Sequence, residues 1–382
     1  MLRYLTAGES HGRALLALVD GFPAGVALKA ETIDAELVRR QGGYGRGGRQ
    51  KIETDHVEIL SGVWRGMSLG SPIALLIPNK DFKIDQMDDL DRPRPGHGDL
   101  SGSIKYLTSV RAILERASAR ETSARVAAGA LAKQLLEPLG ITAFAYVVQV
   151  GEMAIRPQPG TLDEQTERRN RSIMYTLNPD GDDELAELID NCKRNGDTLG
   201  GIVEIRVEGL PYGLGTHTQW DKKLDGRLSQ AVMAVQAMKG VEIGMGFEAA
   251  RRPGSQVHDP IRFDPSQTHA RSLGFTRVGN NAGGLEAGMT NSQPLVLRVA
   301  MKPISTLAKP LESVNLQTKQ AESASYERSD VCAVAAASCI LENVVAFEIA
   351  CAVADKFGGD NLEEIKQRLD LFYDMARKKL NE

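Results

Sequence analysis

The sequence predicts an α+β fold that forms one domain over residues 1–382. Helical and strand patterns are both present, but they do not alternate in the regular order that a doubly wound parallel sheet requires. Several segments alternate apolar and polar residues, as in IVEIRVE at 202–208, which is typical of antiparallel strands with one solvated face. No internal repeat and no long linker divides the chain.

Strands are predicted where short apolar or alternating runs stand between turn residues. They cover residues 13–20, 57–63, 73–77, 141–150, 202–208 and 294–302.

Helices are predicted where apolar residues recur at the 3.6-residue period. The clearest case has Leu185, Leu188, Ile189 and Cys192 at positions i, i+3, i+4 and i+7, and Gly196 follows as a stop signal. The predicted helices cover residues 31–41, 109–137, 183–195, 222–239, 331–356 and 361–379. The polar segment 152–184 contains two prolines and the run ERRNR, which predicts an exposed insertion.

The overall charge excludes any broad attraction to nucleic acid or to an anionic membrane. There are 46 Lys and Arg residues against 50 Asp and Glu residues, a net charge of -4, so an anion-binding site has to be local. The N-terminus has no apolar signal region, and no apolar run approaches the roughly 18 residues that a membrane span needs.

The four cysteines form no CxxC pair. This pattern predicts reduced thiols and no zinc site, and it favours the cytoplasm.

A first candidate motif is GESHG at 8–12, in which two glycines allow a tight turn around Ser10 and His11. A strand follows the motif, and the serine shares its centre with the histidine, so a GxSxG hydrolase serine is excluded. The histidine either transfers protons or is held by hydrogen bonds in a turn.

A second motif is RRQGGYGRGGRQ at 39–50, which matches GxGxxG at Gly43, Gly45 and Gly48. A helix precedes it and KIETD follows, whereas a dinucleotide-binding loop needs a strand before and a helix after. It is either a mobile surface loop or a clamp in which Arg40 and Arg46, with Arg49 as a third candidate, bind phosphate or carboxylate groups.

A third motif, RPRPGHGD at 92–99, holds His97 between two glycines after stiffening prolines. A fourth, ERASARETSAR at 115–125, lies in a locally basic segment and predicts either an anion site or a solvated, ion-paired helix face. On a regular helix Ser118 would point roughly 200° away from Arg116. Ser118 therefore serves a different ligand, or the helix is irregular there.

The C-terminal candidates are a glycine-rich turn that leads through a strand to KPIST at 302–306, and Asp330 in the motif YERSDVCAV. The first offers backbone amides, hydroxyls and one ammonium group for a flat or phosphorylated ligand. Asp330 is either functional or an ordinary helix N-cap.

Eight motifs, taken in order, resemble the chorismate synthase family. They are GESHG, the RR…GYGRG…R loop, RPGHGD, RASARET, QAMKG with GVEIG, NNAGG…G, KPIST and RSDVCAV. The resemblance extends from residue 1 to about residue 345 and says little about residues 152–184.

The resemblance implies a sandwich with helices layered between antiparallel β-sheets, and a homotetramer. It implies a phosphate-eliminating carbon–oxygen lyase that converts 5-enolpyruvylshikimate 3-phosphate to chorismate and phosphate by an anti 1,4-elimination. This is the last common step of the shikimate pathway to aromatic compounds, and it requires reduced FMN without net redox change. Because the substrate carries two carboxylates and a phosphate, several shielded arginines are expected.

The resemblance also implies residue roles. His11 would be the general acid near the leaving phosphate, His97 would hold the proton of the reduced flavin, and Asp330 would act near flavin nitrogen 5. Ser10 and Ser118 would support these proton transfers. Anions of the substrate or of NADP would be bound by Arg40, Arg46, Arg120 and Arg328. The flavin would be contacted by Arg116, Ala117, Ser118, Gln236, Ala237, Ala287, Lys302, Pro303, Ile304, Ser305, Thr306 and Arg328.

Two positions depart from the family pattern, because Ser329 replaces a histidine found in some relatives and Ala287 replaces a common glycine. The sequence leaves open whether this chain reduces its own flavin with NADPH. The simpler expectation is a separate flavin reductase as partner, with NADPH as an indirect reductant. Two other functions remain as alternatives: an NADPH-dependent flavin oxidoreductase, and an RNA-binding protein that uses the Arg/Gly loop.

Overall fold

The computed structural model describes residues 1–47, 54–327 and 329–381. The helices are α1 (Ala30–Gln41), α2 (Asp99–Tyr106), α3 (Val110–Ala117), α4 (Thr122–Leu136), α5 (Leu162–Arg171), α6 (Asp182–Arg194), α7 (Leu224–Met233), α8 (Gly254–Val257), α9 (Val334–Phe357) and α10 (Leu362–Asn381). The strands are β1 (Arg3–Ala7), β2 (Ala14–Asp20), β3 (Glu58–Ile59), β4 (Val63–Trp64), β5 (Met67–Ser68), β6 (Ile73–Pro78), β7 (Thr142–Val150), β8 (Met153–Ala154), β9 (Gly201–Glu208), β10 (Tyr212–Gly215), β11 (Met238–Ile243), β12 (Ile261–Phe263), β13 (Phe275–Arg277), β14 (Leu285–Glu286), β15 (Met289–Asn291), β16 (Leu295–Met301), β17 (Glu312–Val314) and β18 (Ala321–Ser323).

The two largest described sheets have the strand orders β1-β2-β6-β3 and β11-β16-β9-β7-β8. Neighbouring strands in both sheets run antiparallel. In β9 the residues Val203, Ile205 and Val207 are buried while their neighbours are not, which is the pattern that predicted a strand with one solvated face.

The helices α4 and α9 lie between these sheets. α4 packs on β2 and β6, α9 packs on β7 and β9, and the two helices pack closely on each other. Gly129 permits this approach, because a Cβ atom there would lie 2.2 Å from the backbone oxygen of Asn343. The predicted α+β sandwich is therefore confirmed.

By length and composition, α9 could cross a membrane, so the expectation that no segment approaches such a length was wrong. However, 94% of its apolar window is buried inside the protein. It is apolar all round because it forms the core between two layers.

Three predicted elements differ from the structure. The helix predicted over 109–137 is interrupted, because Ser118 adopts an extended conformation and its Oγ accepts a hydrogen bond from the N–H of Arg120. The helix predicted over 222–239 ends at Met233, and β11 takes up the end of that range. The strand predicted over 57–63 divides into β3 and β4 around Gly62, whose φ is +80°.

The segment 152–184 is not merely an exposed insertion. It contains α5, and Met174 and Leu177 are buried against the rest of the fold. Its Arg169 donates to the buried carboxylate of Glu342 on α9 at 3.0 Å. The polar composition that suggested exposure therefore includes charges that are buried in ion pairs.

Candidate active site

A cavity of about 910 Å³ lies where the α3–α4 junction, the ends of β11 and β16, and the beginning of α9 meet. Most of the predicted site residues line it, although they come from separate parts of the chain. Those that do are Ser10, His11, Arg40, Arg46, His97, Ala117, Ser118, Arg120, Gln236, Ala237, Lys302, Pro303, Ile304, Ser305, Thr306 and Asp330.

His11 is held in this cavity by Glu115 at the end of α3. Its Nδ1 lies 2.8 Å from Oε1 of Glu115, and its backbone N–H donates to Oε2 at 2.8 Å. Burial alone would raise the pKa of the Glu115 carboxyl, but the hydrogen bonds from His11 lower it below its ordinary value. An ionised Glu115 places the proton on Nδ1, which leaves Nε2 for a ligand.

The interruption at Ser118 brings this residue beside the first motif. Ser118 Oγ donates to Ser10 Oγ at 3.1 Å, and Ser10 N–H donates to the carbonyl oxygen of Glu115 at 2.9 Å. Of the two alternatives that followed from the roughly 200° offset between Ser118 and Arg116, the structure shows the irregular helix. It joins the GESHG and RASARET motifs on one wall of the cavity.

His97 has a similar arrangement at another part of the wall. Its Nδ1 lies 2.5 Å from Oδ1 of Asp99, and Arg94 Nε donates to Oδ2 of the same carboxylate at 2.8 Å. Asp99 is fully buried. Burial raises its pKa, but the hydrogen bonds from His97 and Arg94 outweigh this and hold the pKa well below its ordinary value.

Arg40 and Arg120 share one buried carboxylate. Arg40 Nη2 lies 2.8 Å from Asp55 Oδ2, Arg120 Nη1 lies 2.6 Å from Asp55 Oδ1, and Arg120 Nε donates to Asn79 Oδ1 at 2.9 Å. Burial raises the pKa of Asp55, but the two arginines lower it by more. Two guanidinium groups against one carboxylate leave a local positive charge, which favours an anion in the cavity.

Arg46 is tied to the candidate carboxylate at the start of the last motif. Its Nη1 lies 2.7 Å from Asp330 Oδ2, and the N–H of Gly47 donates to Asp330 Oδ1 at 2.6 Å. Asp330 is not the N-cap of α9, which begins at Val334. A glycine is needed at Gly43, where φ is +97° and a Cβ would lie 2.5 Å from that of Ala335.

The described part of the Arg/Gly loop, residues 42–47, is packed onto the protein. Tyr44 N–H donates to the carbonyl oxygen of Ile173 at 2.9 Å, and its hydroxyl donates to Asp190 Oδ2 at 3.0 Å. These contacts come from segment 152–184 and from α6. The loop is therefore not a free surface loop over these residues, and Arg46, the arginine that the structure describes in 42–47, is paired with Asp330 and is not part of an exposed basic arm of the kind that an RNA-binding function would require.

Some predicted residues are placed elsewhere. Arg116 donates to the backbone oxygens of Thr6 and Gly8 and does not line the cavity. Ala287 stands in the exposed turn between β14 and β15, with φ of 51°, also away from the cavity wall. Arg328 and Arg49 lie outside the described residues.

The sequence did not single out the carboxylates that hold the histidines and arginines. Asp99 is two residues from His97, so its position was a usable signal. Glu115 holds His11 across 104 residues and Asp55 holds Arg120 across 65 residues, separations that no local pattern reveals. Among the described residues, no group of three or more His, Cys, Asp or Glu side chains could hold a metal ion.

A protein-family model and known proteins match the sequence of this chain. A family model described as chorismate synthase matches residues 2–354. A chorismate synthase of Geobacter metallireducens is 51% identical, with 99% of this chain and 100% of that protein covered. One of Symbiobacterium thermophilum is 52% identical over 95% of this chain and 96% of that protein.

A matching solved structure has the same description. It is titled "Crystal Structure of Chorismate Synthase", is 42% identical in sequence, and superposes with a TM-score of 0.81 over 99% of this chain and 98% of that chain.

Proposed function

The chain belongs to the chorismate synthase family, and on that premise we propose that it converts 5-enolpyruvylshikimate 3-phosphate to chorismate and phosphate. The observation that carries the proposal is the single cavity in which two carboxylate-held histidines, three ion-paired arginines and Asp330 converge. An anti 1,4-elimination of phosphate needs these components: proton donors and acceptors, and cations for a substrate with three anionic groups.

The cavity fits reduced FMN in size and in chemistry. Its volume of about 910 Å³ lies within the range of ligand sites. Gln236 Oε1 on the wall is buried without a hydrogen-bond partner among the described residues, so it can accept a bond from a flavin N–H. Ala117, Ala237 and Ile304 give apolar contact for a ring system. Reduced flavin held by these residues would supply transient negative charge for the elimination, with no net redox change.

We assign to His11 the role of the general acid that donates a proton to the leaving phosphate. The Glu115 carboxylate accepts the hydrogen bond from Nδ1 and fixes the orientation of the ring. His97, supported in the same way by Asp99, holds a second proton, which we place beside the flavin. Ser10 and Ser118 line the cavity wall next to His11, and their hydroxyl groups make the surroundings of this histidine polar.

Asp330 assists the transfer of the proton that leaves the substrate ring. Its carboxylate is fixed by the N–H of Gly47 and paired with Arg46. Arg46, Arg40 and Arg120 bind the phosphate and carboxylates of the substrate, because guanidinium groups match these anions bidentately. Arg328 is proposed for the same role from the family pattern alone, and Arg116 and Ala287 stay predictions for the flavin.

Reduced flavin can come from reduction by this chain itself with NADPH or from a separate flavin reductase. We propose a separate flavin reductase, with NADPH acting as an indirect reductant, since the described residues show no Rossmann loop for NADP.

The test is anaerobic incubation of the protein with 5-enolpyruvylshikimate 3-phosphate and photoreduced FMN, with release of chorismate followed by absorbance. Chorismate formation without NADPH supports the proposal, and consumption of reductant in proportion to substrate would indicate an NADPH-dependent oxidoreductase instead.

We also propose a cytoplasmic homotetramer. The outer face of the β1-β2-β6-β3 sheet supports this, because Leu5, Leu16 and Leu18 are 67%, 37% and 43% exposed, and Leu5 pairs with Leu18 across the strands. Such an apolar patch is typical of an interface with a second copy. Light scattering should show a tetramer and a smaller species for Leu18→Glu, and an unchanged mass in the variant would remove this face from the interface.

A further inference from the structure

Residues 172–176 form a turn between α5 and α6 that is anchored to the rest of the fold. Ser172 Oγ donates to Asp182 Oδ1 at 2.8 Å, and the N–H of Val147 on β7 donates to the carbonyl oxygen of Tyr175 at 3.0 Å. Tyr175 has a φ of 57°, a conformation that an aromatic residue keeps only where its surroundings impose it. The 172–176 turn is therefore fixed to the sheet and to α6.

The Arg/Gly loop lies directly on the 172–176 turn. Tyr175 Oη donates to the carbonyl oxygen of Arg39 at the end of α1 at 3.0 Å, and the N–H of Tyr44 donates to the carbonyl oxygen of Ile173 at 2.9 Å. A Cβ atom at Gly42 would lie 2.1 Å from Tyr175 Oη, so this close approach needs a glycine. The turn therefore determines the path of the chain as it leaves α1.

The opposite side of the loop contacts the segment that begins at Asp330. The N–H of Val331 donates to the carbonyl oxygen of Gly45 at 2.8 Å, and Arg46 Nη1 lies 2.7 Å from Asp330 Oδ2. The loop is thus held between the 172–176 turn and this segment, with Arg46 on the cavity wall. A guanidinium group that is already in place loses less conformational freedom when an anion binds.

We propose that the 172–176 turn positions Arg46 for substrate binding, with Tyr175 as the positioning residue. The inference rests on the proposed function, in which Arg46 binds an anionic group of the substrate. Tyr175 does not line the cavity, so it acts through the loop. The proposal gives segment 152–184 a role that neither its composition nor the family resemblance supplied.

The test uses two substitutions that should compensate each other, with the Kd of 5-enolpyruvylshikimate 3-phosphate measured by calorimetry in oxidised FMN, so that no turnover occurs. Tyr175→Phe removes the hydrogen bond to Arg39 and keeps the ring, and it should raise Kd about 3- to 10-fold. Gly42 has a φ of -76°, which alanine adopts without strain, so Gly42→Ala acts through the contact of its methyl group with the Tyr175 hydroxyl. It should raise Kd about 10-fold.

In the double variant the hydroxyl is absent, and the nearest ring carbon of residue 175 lies 3.3 Å from the new Cβ atom. Adding Gly42→Ala to Tyr175→Phe should therefore raise Kd by no more than about 2-fold. If Gly42→Ala alone does not fold, the double variant should fold.

Two controls separate positioning from stability. Tyr373→Phe removes a similar hydroxyl-to-backbone bond, to the carbonyl oxygen of Arg271 at 3.3 Å, on α10 and away from the cavity. It should leave Kd unchanged, whatever its effect on Tm. In an Arg46→Ala background, Tyr175→Phe should change Kd by less than about 2-fold, because the side chain that it positions is absent. The kcat of Tyr175→Phe at saturating substrate should stay within about 2-fold of the wild type.

A rise in Kd for Tyr175→Phe that disappears in the Arg46→Ala background supports the proposal. An unchanged Kd for Tyr175→Phe, the same rise with and without Arg46, or costs of Tyr175→Phe and Gly42→Ala that add fully would overturn it. A wild type that does not bind the substrate would overturn the proposed function and this inference with it. Tight binding by the wild type together with equal binding by Tyr175→Phe would overturn the inference alone.

Discussion

Glu115→Gln tests whether the carboxylate behind His11 contributes to the reaction. In the structure Glu115 accepts from His11 Nδ1 at 2.8 Å and from its backbone N–H at 2.8 Å. The amide keeps the shape but not the charge, so a charge-assisted bond of about 1.5–3 kcal/mol becomes a neutral one of about 0.5–1.5 kcal/mol. A loss of roughly 1–1.5 kcal/mol corresponds to a fall in turnover of about 5- to 10-fold.

The assay is chorismate formation with photoreduced FMN, measured for Glu115→Gln, His11→Ala and the double variant. Because Glu115 acts through His11, the double variant should be no slower than His11→Ala within about 2-fold. Glu115→Asp should recover part of the rate, and Glu137→Gln, an exposed carboxylate at the end of α4, should leave it unchanged. Costs that add fully in the double variant, with normal thermal melting, would refute the reasoning.

Other predictions concern the rest of the cavity. Asp330→Asn should lower turnover by about 10²-fold or more while FMN affinity stays nearly constant, and a parallel collapse of FMN binding would contradict its assignment. Arg46→Ala should raise the substrate KM by about 10- to 100-fold, as for a lost charge-assisted bond; an unchanged KM would remove the clamp. Tyr44→Phe deletes the 3.0 Å hydrogen bond to Asp190 that holds the loop of Arg46, so it should raise KM about 2- to 5-fold at constant kcat. A loss in kcat alone would contradict a role of Tyr44 in positioning this loop. The pKa of Asp99 in the folded protein lies below the unfolded value of about 4, so the ionised carboxylate stabilises the fold above pH 4 and this stabilisation is lost as the pH falls below 4. Asp99→Asn should therefore show a smaller fall in Tm on acidification than the wild type. An equal fall in Tm would contradict this role of Asp99.

The sequence predicted the layers better than the junctions between them. The alternation over 202–208 and the helix pattern over 331–356 identified β9 and α9, two elements of the sandwich, because burial imposes a period on the sequence. The helix prediction over 109–137 missed the break at Ser118, which depends on one side chain bonding to the backbone. The helix prediction over 222–239 ran into the start of β11, and the rest of this strand was not predicted, since its pairing with β16 is a long-range contact.

The residues of the candidate site could be predicted from motifs, but their partners could not. His11 and His97 stand in short glycine-containing motifs and Asp330 stands in YERSDVCAV, whereas the carboxylates that hold His11 and Arg120 become their neighbours only when distant segments pack together. Segment 152–184 shows the same limit. Its polar composition indicated exposure, yet Arg169 is buried because Glu342 on α9 balances its charge.

The most direct test of the account is the rate of chorismate formation in a single anaerobic turnover with photoreduced FMN, compared between the wild type, His11→Ala and His97→Ala. We expect chorismate and phosphate in equal amounts from the wild type, and rates about 10²- to 10⁴-fold lower in each variant with the fold intact. Near-normal rates in both variants would contradict the claim that these two carboxylate-held histidines carry the proton transfers.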